Sequence, residues 1–416
     1  MELTQEWIQE DVVFENPLLK LALNGLKHYG LLLYKSQPWK NLNGFRGAFF
    51  TASMLVFNIT QFMDLFQVFG NIGEMTANAA TTLLFHTTVV RILHFYWNRT
   101  RFNTLIRIAD EEIRHIMRHG NATEKRILSS NVKHTNRLTL VIWMCVLITA
   151  NTIIYYPIIQ YCRMKSTDMS NLEKPSLILQ SWYPADTVRL PIIYAIQLYI
   201  MYLGQLIVTS WLLFIISLMV YLRTVLMVLN HKLSHLESYE VSELRSARPL
   251  RKIRADSDEA RCELRAELLV ECVQQQRKIY DYTRELESLT RSAVFLDFAT
   301  FSILICALLF EASYTESAVQ VFIDICYIMT MIAFLFVYYW HANEISHHAN
   351  LLSSSAYRSD WYNYPRSVNR HLITFGCFNN KPLTIKAFFV PTSLDTFIAI
   401  LRASYSYFTI LKQAAD

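Results

Sequence analysis

Seven stretches of this chain are apolar for long enough to cross a lipid bilayer, and they constrain the fold more than any other feature. They are Phe45–Phe69, Met75–Trp97, Leu138–Tyr161, Val188–Leu222, Ala293–Phe310, Ala318–Trp340 and Thr392–Leu411. A bilayer core takes about 20 residues of helix. A chain within lipid must satisfy its backbone groups internally, which only helices and closed barrels do. No alternating pattern suits barrel strands. The expectation is an all-α membrane protein with seven transmembrane helices. The composition agrees, with 53% hydrophobic and 13% aromatic residues and only 9 glycines. The second stretch is weakened by Arg91 and His94, the last by Asp395 and Arg402.

Charge distribution orients these helices. With the N-terminus inside, segments 1–46, 98–134, 223–291 and 341–386 carry 31 Lys and Arg residues. The opposite segments, 70–74, 162–189, 311–317 and 412–416, carry 5. Cationic loops stay cytoplasmic, so the expected orientation is N-terminus inside and C-terminus outside. No cleavable signal is expected, because no apolar core follows Met1. The formal charge of +5 is explained by this orientation and by anionic lipid rather than by nucleic acid. The sequons at Asn98 and Asn121 fall on the inner side and Asn58 in a span, so none is expected to carry sugar.

Four segments follow. Residues 1–44 form a cytoplasmic N-terminus whose Asn16–Tyr34 stretch reads as a short amphipathic helix. Residues 45–345 hold spans one to six, with cytoplasmic helical extensions at 98–134 and 223–291. Residues 346–386 are the cytoplasmic part of the seventh helix and its loop, and 387–416 are the last helix and C-terminus. In the first extension Ile106, Ile113, Ile116 and Met117 share a helical face. In the second, Ser242–Glu259 is charged and expected to be mobile. It is followed by a stripe of Leu269, Cys272, Val273, Gln276, Ile279, Tyr280, Thr283, Leu286 and Leu289, which needs a partner within the chain or on another subunit. The longest outer loop, Arg163–Arg189, is expected over the outer mouth. The seven cysteines show no pattern, so free thiols are expected.

The last helix carries a polar stripe. Asp395, Ala399, Arg402, Ser406, Thr409 or Ile410, and Gln413 recur every three to four residues and share one face. Charge on a spanning helix is costly unless it faces other helices or water. The stripe therefore reads either as a pore lining or as a face packed inside a bundle.

Few motifs of catalysis are present. The densest group of potential ligands is His341, Glu344, His347 and His348. Glu344 and His347 have the i, i+3 spacing of carboxylate di-iron bundles, but no second such pair occurs. Polar packing at the inner edge of the membrane is expected instead, with no metal and no cofactor. No glycine-rich phosphate loop appears. The Asp-Arg-Tyr and Asn-Pro-x-x-Tyr motifs of G-protein-coupled receptors are missing, and the expected orientation is opposite to theirs. Aromatic residues with sparse polar groups near the outer halves of the spans suit a small apolar ligand. The candidates are Leu84 and Phe85, Thr152 and Tyr155, Ile193 and Gln197, and Phe322 and Tyr327.

Three places resemble the insect odorant receptors, and together the resemblance runs over the whole chain. Ser393-Leu-Asp-Thr-Phe397 followed by Ile400-Leu-Arg-Ala-Ser-Tyr-Ser-Tyr-Phe-Thr-Ile-Leu-Lys412 is similar to that family's closing signature. Asn343-Glu-Ile-Ser346 with Ala356-Tyr357, Trp361-Tyr362 and Arg370 resembles the segment leading into its seventh helix. Trp182-Tyr-Pro-Ala-Asp186 with Pro191, Tyr194 and Gln197 resembles its lid loop and fourth span. Ser406-Tyr407, five residues, then Gln413-Ala414 keeps the spacing of the related gustatory receptors with two substitutions. The resemblance implies a ligand-gated, nonselective cation channel rather than an enzyme, with a small volatile odorant or pheromone as ligand. It implies a heterotetramer with a shared co-receptor in the plasma membrane of olfactory sensory neurons. It also implies cytoplasmic helices as the anchor between subunits, and a last helix lining the pore, with a gate at Ile410, Gln413 and Ala414. A gustatory-type channel of the same superfamily and a G-protein-coupled chemoreceptor are the alternatives.

Overall fold

The computed structural model describes residues 16–32, 40–70, 72–166, 177–183, 190–240, 258–315, 317–359, 361–378, 383–388 and 390–415. Most of the expected mobile stretch Ser242–Glu259, parts of the outer loop Arg163–Arg189 and the first fifteen residues lie outside them. Ten α-helices of ten or more residues are found among these residues: α1 (Lys20–Tyr29), α2 (Lys40–Gln67), α3 (Ile72–Trp97), α4 (Arg99–His119), α5 (Ala122–Ser166), α6 (Leu190–Ser234), α7 (Asp258–Tyr314), α8 (Ala318–Tyr357), α9 (Arg366–Phe378) and α10 (Leu394–Ala415). A two-residue hairpin, Lys386–Ala387 with Val390–Pro391, precedes α10.

Five helices (α2, α5, α6, α7 and α8) are long and apolar enough to cross a membrane. The other two spans, α3 and α10, have 26 and 22 residues. That is long enough for a bilayer, but their charged residues dilute the apolar run. α6 is the central helix: 83% of its apolar window is buried, against 22% for α2. The side chains that α2 leaves exposed are Phe45, Phe49, Val56, Ile59 and Phe66, which suit a lipid-facing surface.

At 45 residues, α5 and α6 are each about 68 Å long at 1.5 Å per residue, twice a bilayer core of about 30 Å. Their excess, with α4, α9 and the ends of α7 and α8, forms a helical body at the charged end of the bundle. α8 runs unbroken through residue 345, where the sequence suggests a segment boundary. Asn230 explains the continuity: its Nδ2 donates to the His348 carbonyl at 2.8 Å and its Oδ1 accepts from Ser355 Oγ at 2.7 Å. Further ties are Tyr239 Oη to Glu124 (2.8 Å), Arg265 to Glu240 (2.6 Å) and Arg101 to Glu285 (2.7 Å). The stripe on α7 finds most of its partner within the chain: Leu269, Cys272, Gln276, Ile279, Thr283, Leu286 and Leu289 are buried and Tyr280 is half-buried, whereas Val273 of the stripe and the flanking Val270 stay exposed. Ile106, Ile113 and Ile116 of α4 are buried too.

The N-terminal amphipathic helix is shorter than expected. α1 stops at Gly30, whose φ of +94° closes the last turn through its N–H to Leu26 and Lys27 carbonyls. Leu23, Leu26 and Tyr29 bury its apolar face mainly against α6. The helix is therefore docked on the bundle core.

The residues suspected of metal chemistry are engaged with one another. Glu344 pairs with Arg223 at 3.2 Å and His348 at 3.8 Å. His341 Nδ1 lies 2.7 Å from the Val337 carbonyl, which can only accept, so Nδ1 carries the proton. In the neutral ring Nε2 is then an acceptor, and His134 Nε2 donates to it across 3.4 Å. Among the described residues no group of three His, Cys, Asp or Glu is placed to hold a metal.

Candidate ligand pocket and outward-facing last helix

A cavity of about 110 Å³ lies inside the bundle. It approaches the ~150 Å³ apolar cavity that binds benzene, so it accepts a small ring or short chain. Helical periodicity builds its walls. α3 contributes Thr81, Leu84, Phe85 and Thr88; α5 contributes Val146, Thr149, Ala150 and Ile153. α8 contributes Tyr327, Thr330, Met331 and Phe334. Each set repeats at i, i+3, i+4 and i+7, which is one helix face. α6 adds Met201, Gly204, Gln205, Val208 and Thr209, and α7 adds Phe301. Gly204 brings α6 close to the Phe85 ring: a Cβ there would lie 3.0 Å from Phe85 Cε1. Phe85 is held from behind by an edge contact with Phe57, centroids 5.5 Å apart.

Polar groups in the wall are few. Thr149 and Thr330 hydroxyls meet at 2.6 Å across α5 and α8, and each is also 3.0 Å from the carbonyl one turn back. Thr209 Oγ1 is buried and makes no hydrogen bond to a described residue.

The segment 177–183 covers the cavity through Leu179. Gln197 of α6 holds it in place. Its Oε1 accepts from the Ile178 N–H at 3.0 Å and the Leu179 N–H at 3.4 Å. Its Nε2 donates to the Leu179 carbonyl at 2.8 Å and to Ser181 Oγ at 3.2 Å. The Trp182 N–H reaches the Thr60 carbonyl of α2 at 3.1 Å.

The eight candidate ligand residues therefore part company. Leu84, Phe85 and Tyr327 line the cavity. Gln197 is taken up by the loop. Thr152 turns its hydroxyl to the Thr149 carbonyl at 2.7 Å, and Ile193 is buried near the start of α6 away from the lining. Tyr155 and Phe322 are 58% and 59% exposed on the outside of the bundle. The sequence candidates do not include the other lining residues of α3, α5 and α8, the α6 series, Phe301 or Leu179. α6 is apolar all round, and its one available signal was a glycine amid bulky neighbours.

On α10 the polar stripe faces away from the rest of the chain. Asp395, Ala399, Arg402, Ser406, Ile410 and Gln413 are all exposed. The side chain of Ala414 lies outside the description. The opposite face, with Ile400 and Ser404, is buried against α7 and α8. Phe397 touches Phe336 and Tyr339 of α8, with centroids 5.8 and 6.5 Å apart. Tyr339 lies about one turn beyond the cavity residue Phe334, so α8 joins the pocket wall to the last helix.

A bundle of seven membrane-length helices around an apolar cavity is the architecture of a multi-pass membrane protein. The profile of the 7tm Odorant receptor family matches residues 71–405. The chain belongs to that family, one of receptors rather than enzymes. It is similar to odorant receptor 56a of Drosophila melanogaster, 26% identical over 413 residues and 96% of each chain. It is also similar to odorant receptor Or2 of Anopheles gambiae, 23% identical over 86% of this chain and 89% of that one. In structure it resembles the insect olfactory receptor OR5 of Machilis hrabei, solved alone and in complex with eugenol. The TM-scores are 0.77 and 0.76 at 17% and 16% identity, over 95% of this chain and 97% of that one.

Proposed function

We propose that this chain is the odorant-binding subunit of a ligand-gated, nonselective cation channel. It assembles as a heterotetramer with the shared co-receptor in the plasma membrane of olfactory sensory neurons, with its N-terminus cytoplasmic. The observation that carries this reading is the unpacked polar stripe of α10. In lipid that face, with Asp395 and Arg402, would be costly; around a central aqueous pore it is solvated. Ile410, Gln413 and Ala414 form the gate at its outer end.

The ligand site is the cavity behind Leu179. A small apolar molecule gains affinity there by burying carbon, at roughly 25 cal/mol per Å². The eugenol found in the Machilis hrabei receptor is a molecule of this kind. Binding opens the channel only to the extent that the ligand favours the open arrangement. A displacement of Phe334 passes along α8 to Tyr339 and Phe397, and a shift of α10 withdraws Ile410 from the pore axis.

Whole-cell recording from cells expressing this chain with the co-receptor tests the reading. Fast odorant-evoked current persists when G-protein signalling is blocked; its abolition under that block would sink the channel reading. Substitution of Ile410 or Gln413 alters cation permeability ratios. Unchanged ratios in a verified heteromer remove these residues from the pore.

A further inference from the structure

Below the main cavity lies a second one, of about 40 Å³. Val208, Phe301 and Phe334 line both, so these side chains form the wall between two compartments. The chemistry differs across that wall. The smaller compartment is lined by Arg91 of α3 and Asp297 of α7, a buried ion pair, and by Tyr338 of α8.

The hydrogen bonding there is incomplete. Arg91 Nε, at 3.1 Å, and a terminal guanidinium nitrogen both donate to one carboxylate oxygen, Asp297 Oδ1. The other oxygen, Oδ2, takes no hydrogen bond from a described residue, although the Asp297 side chain keeps 23% of its surface open. Tyr338 is 9% exposed, and its hydroxyl, which faces the Thr290 side chain, makes no hydrogen bond of ordinary length to a described residue. An ionised carboxylate oxygen can only accept, whereas a phenolic hydroxyl can donate and accept. Buried groups of both kinds normally find partners.

We propose that this compartment is a second subsite of the ligand pocket and takes the hydroxyl group of an alcohol or phenol whose hydrocarbon fills the main cavity. The proposal rests on reading the main cavity as the odorant site. A hydroxyl is the matching group because it donates to Asp297 Oδ2 and accepts from Tyr338. An ether or ketone only accepts, which leaves the carboxylate oxygen unserved. A carboxylate ligand would set a second anion beside Asp297. Rotation of Phe301 or Phe334 opens the way between the compartments. Without ligand, 40 Å³ holds roughly three waters at about 10–15 Å³ each, and a ligand hydroxyl replaces one while keeping its hydrogen bonds. The competing anchor is Thr209, whose unpartnered hydroxyl is on the main-cavity side.

Matched probes separate these cases in cells expressing the chain with the co-receptor. The pairs are 1-octanol with 1-methoxyoctane, and 4-ethylphenol with 4-ethylanisole. In each pair that activates, the hydroxyl member is expected to act at about tenfold lower concentration, equivalent to about 1.4 kcal/mol. The Arg91→Met, Asp297→Leu double variant abolishes that preference, because the acceptor that only a hydroxyl can serve is gone, and surface labelling of the heteromer shows that it folds; Tyr338→Phe, whose hydroxyl serves alcohol and ether alike, weakens both members of a pair and keeps the preference. Thr209→Val leaves the preference intact. Equal potency within pairs in the unmodified receptor overturns the subsite and leaves it a water pocket, while the odorant reading of the main cavity stands. A preference that survives the Arg91→Met, Asp297→Leu double variant and is lost in Thr209→Val also overturns it. Silence to all four probes in a heteromer labelled at the cell surface overturns the proposal and counts against the reading of the main cavity.

Discussion

Replacing Gln197 with leucine should unlatch the segment over the cavity without disturbing the bundle. The two side chains are close in volume, so α6 packing is largely kept. All four hydrogen bonds from Gln197 to 178–181 are lost. The Ile178 N–H, bonded at 3.0 Å, is left buried without a partner, at about 1–3 kcal/mol. The Leu179 carbonyl keeps the Ser181 hydroxyl at 3.0 Å, so losing Nε2 costs only a net bond, about 0.5–1.5 kcal/mol. The long Leu179 N–H contact adds little. The sum is about 1.5–4.5 kcal/mol against the closed loop, or between one and three decades in its opening equilibrium at about 1.4 kcal/mol per decade. Hydrogen–deuterium exchange on the purified heteromer reads this directly. Amides at 177–183 should exchange faster by that factor, while those of α7 near Leu289 stay as protected as before. Because Leu179 lines the cavity, half-maximal odorant concentrations should rise as well. Unchanged protection at 177–183 in a variant that reaches the cell surface would falsify the latch.

Three further outcomes are expected. Arg91→Met leaves the Asp297 carboxylate unpaired between spanning helices, at about 3–5 kcal/mol. The melting temperature of the solubilised protein should fall sharply and recover in the Arg91→Met, Asp297→Leu double variant; equal losses in both would refute the account. Burial pushes His341, just beyond the span that ends at Trp340, down to about 4 from the usual 6.5, and burial also lowers its neighbours His134 and His348. Between those values the unfolded chain binds more protons than the folded one, so stability rises with pH through this window and is lost as pH falls from about 6.5 toward 4, by up to about 1.4 kcal/mol per unit for His341. Melting temperatures at pH 7.5 and 5 should differ, and less so in His341→Gln; a flat profile would dismiss the effect. Endoglycosidase digestion should leave the mobility of the expressed chain unchanged, and sugar at Asn98 or Asn121 would reverse the orientation.

Much of this architecture can be read along the chain because lipid and charge impose one-dimensional rules. The apolar blocks mark the spans, including α3 and α10 despite Arg91, His94, Asp395 and Arg402. The polar period of α10 marks a single face, and the structure turns that face away from α7 and α8. The stripe on α7 declared that it needed a partner but not which one; packing within the same chain supplied most of it.

What the sequence determined by itself is therefore the number of spans, the helical class and the faces that differ in polarity. The pocket was decided only by tertiary structure. Tyr327 and Phe85 line the cavity while Tyr155 and Phe322 face outward, yet nothing in residue type separates them. In water an apolar face points inward because burial is favourable. In a bilayer the surroundings are as apolar as the interior, so a Phe or Tyr toward lipid looks in sequence like one toward a ligand. Gln197 shows the same limit for polar groups: three of its four hydrogen bonds go to backbone atoms of a loop, which carry no side-chain signature. Helix rotation and loop placement, set by packing around α6, made those assignments.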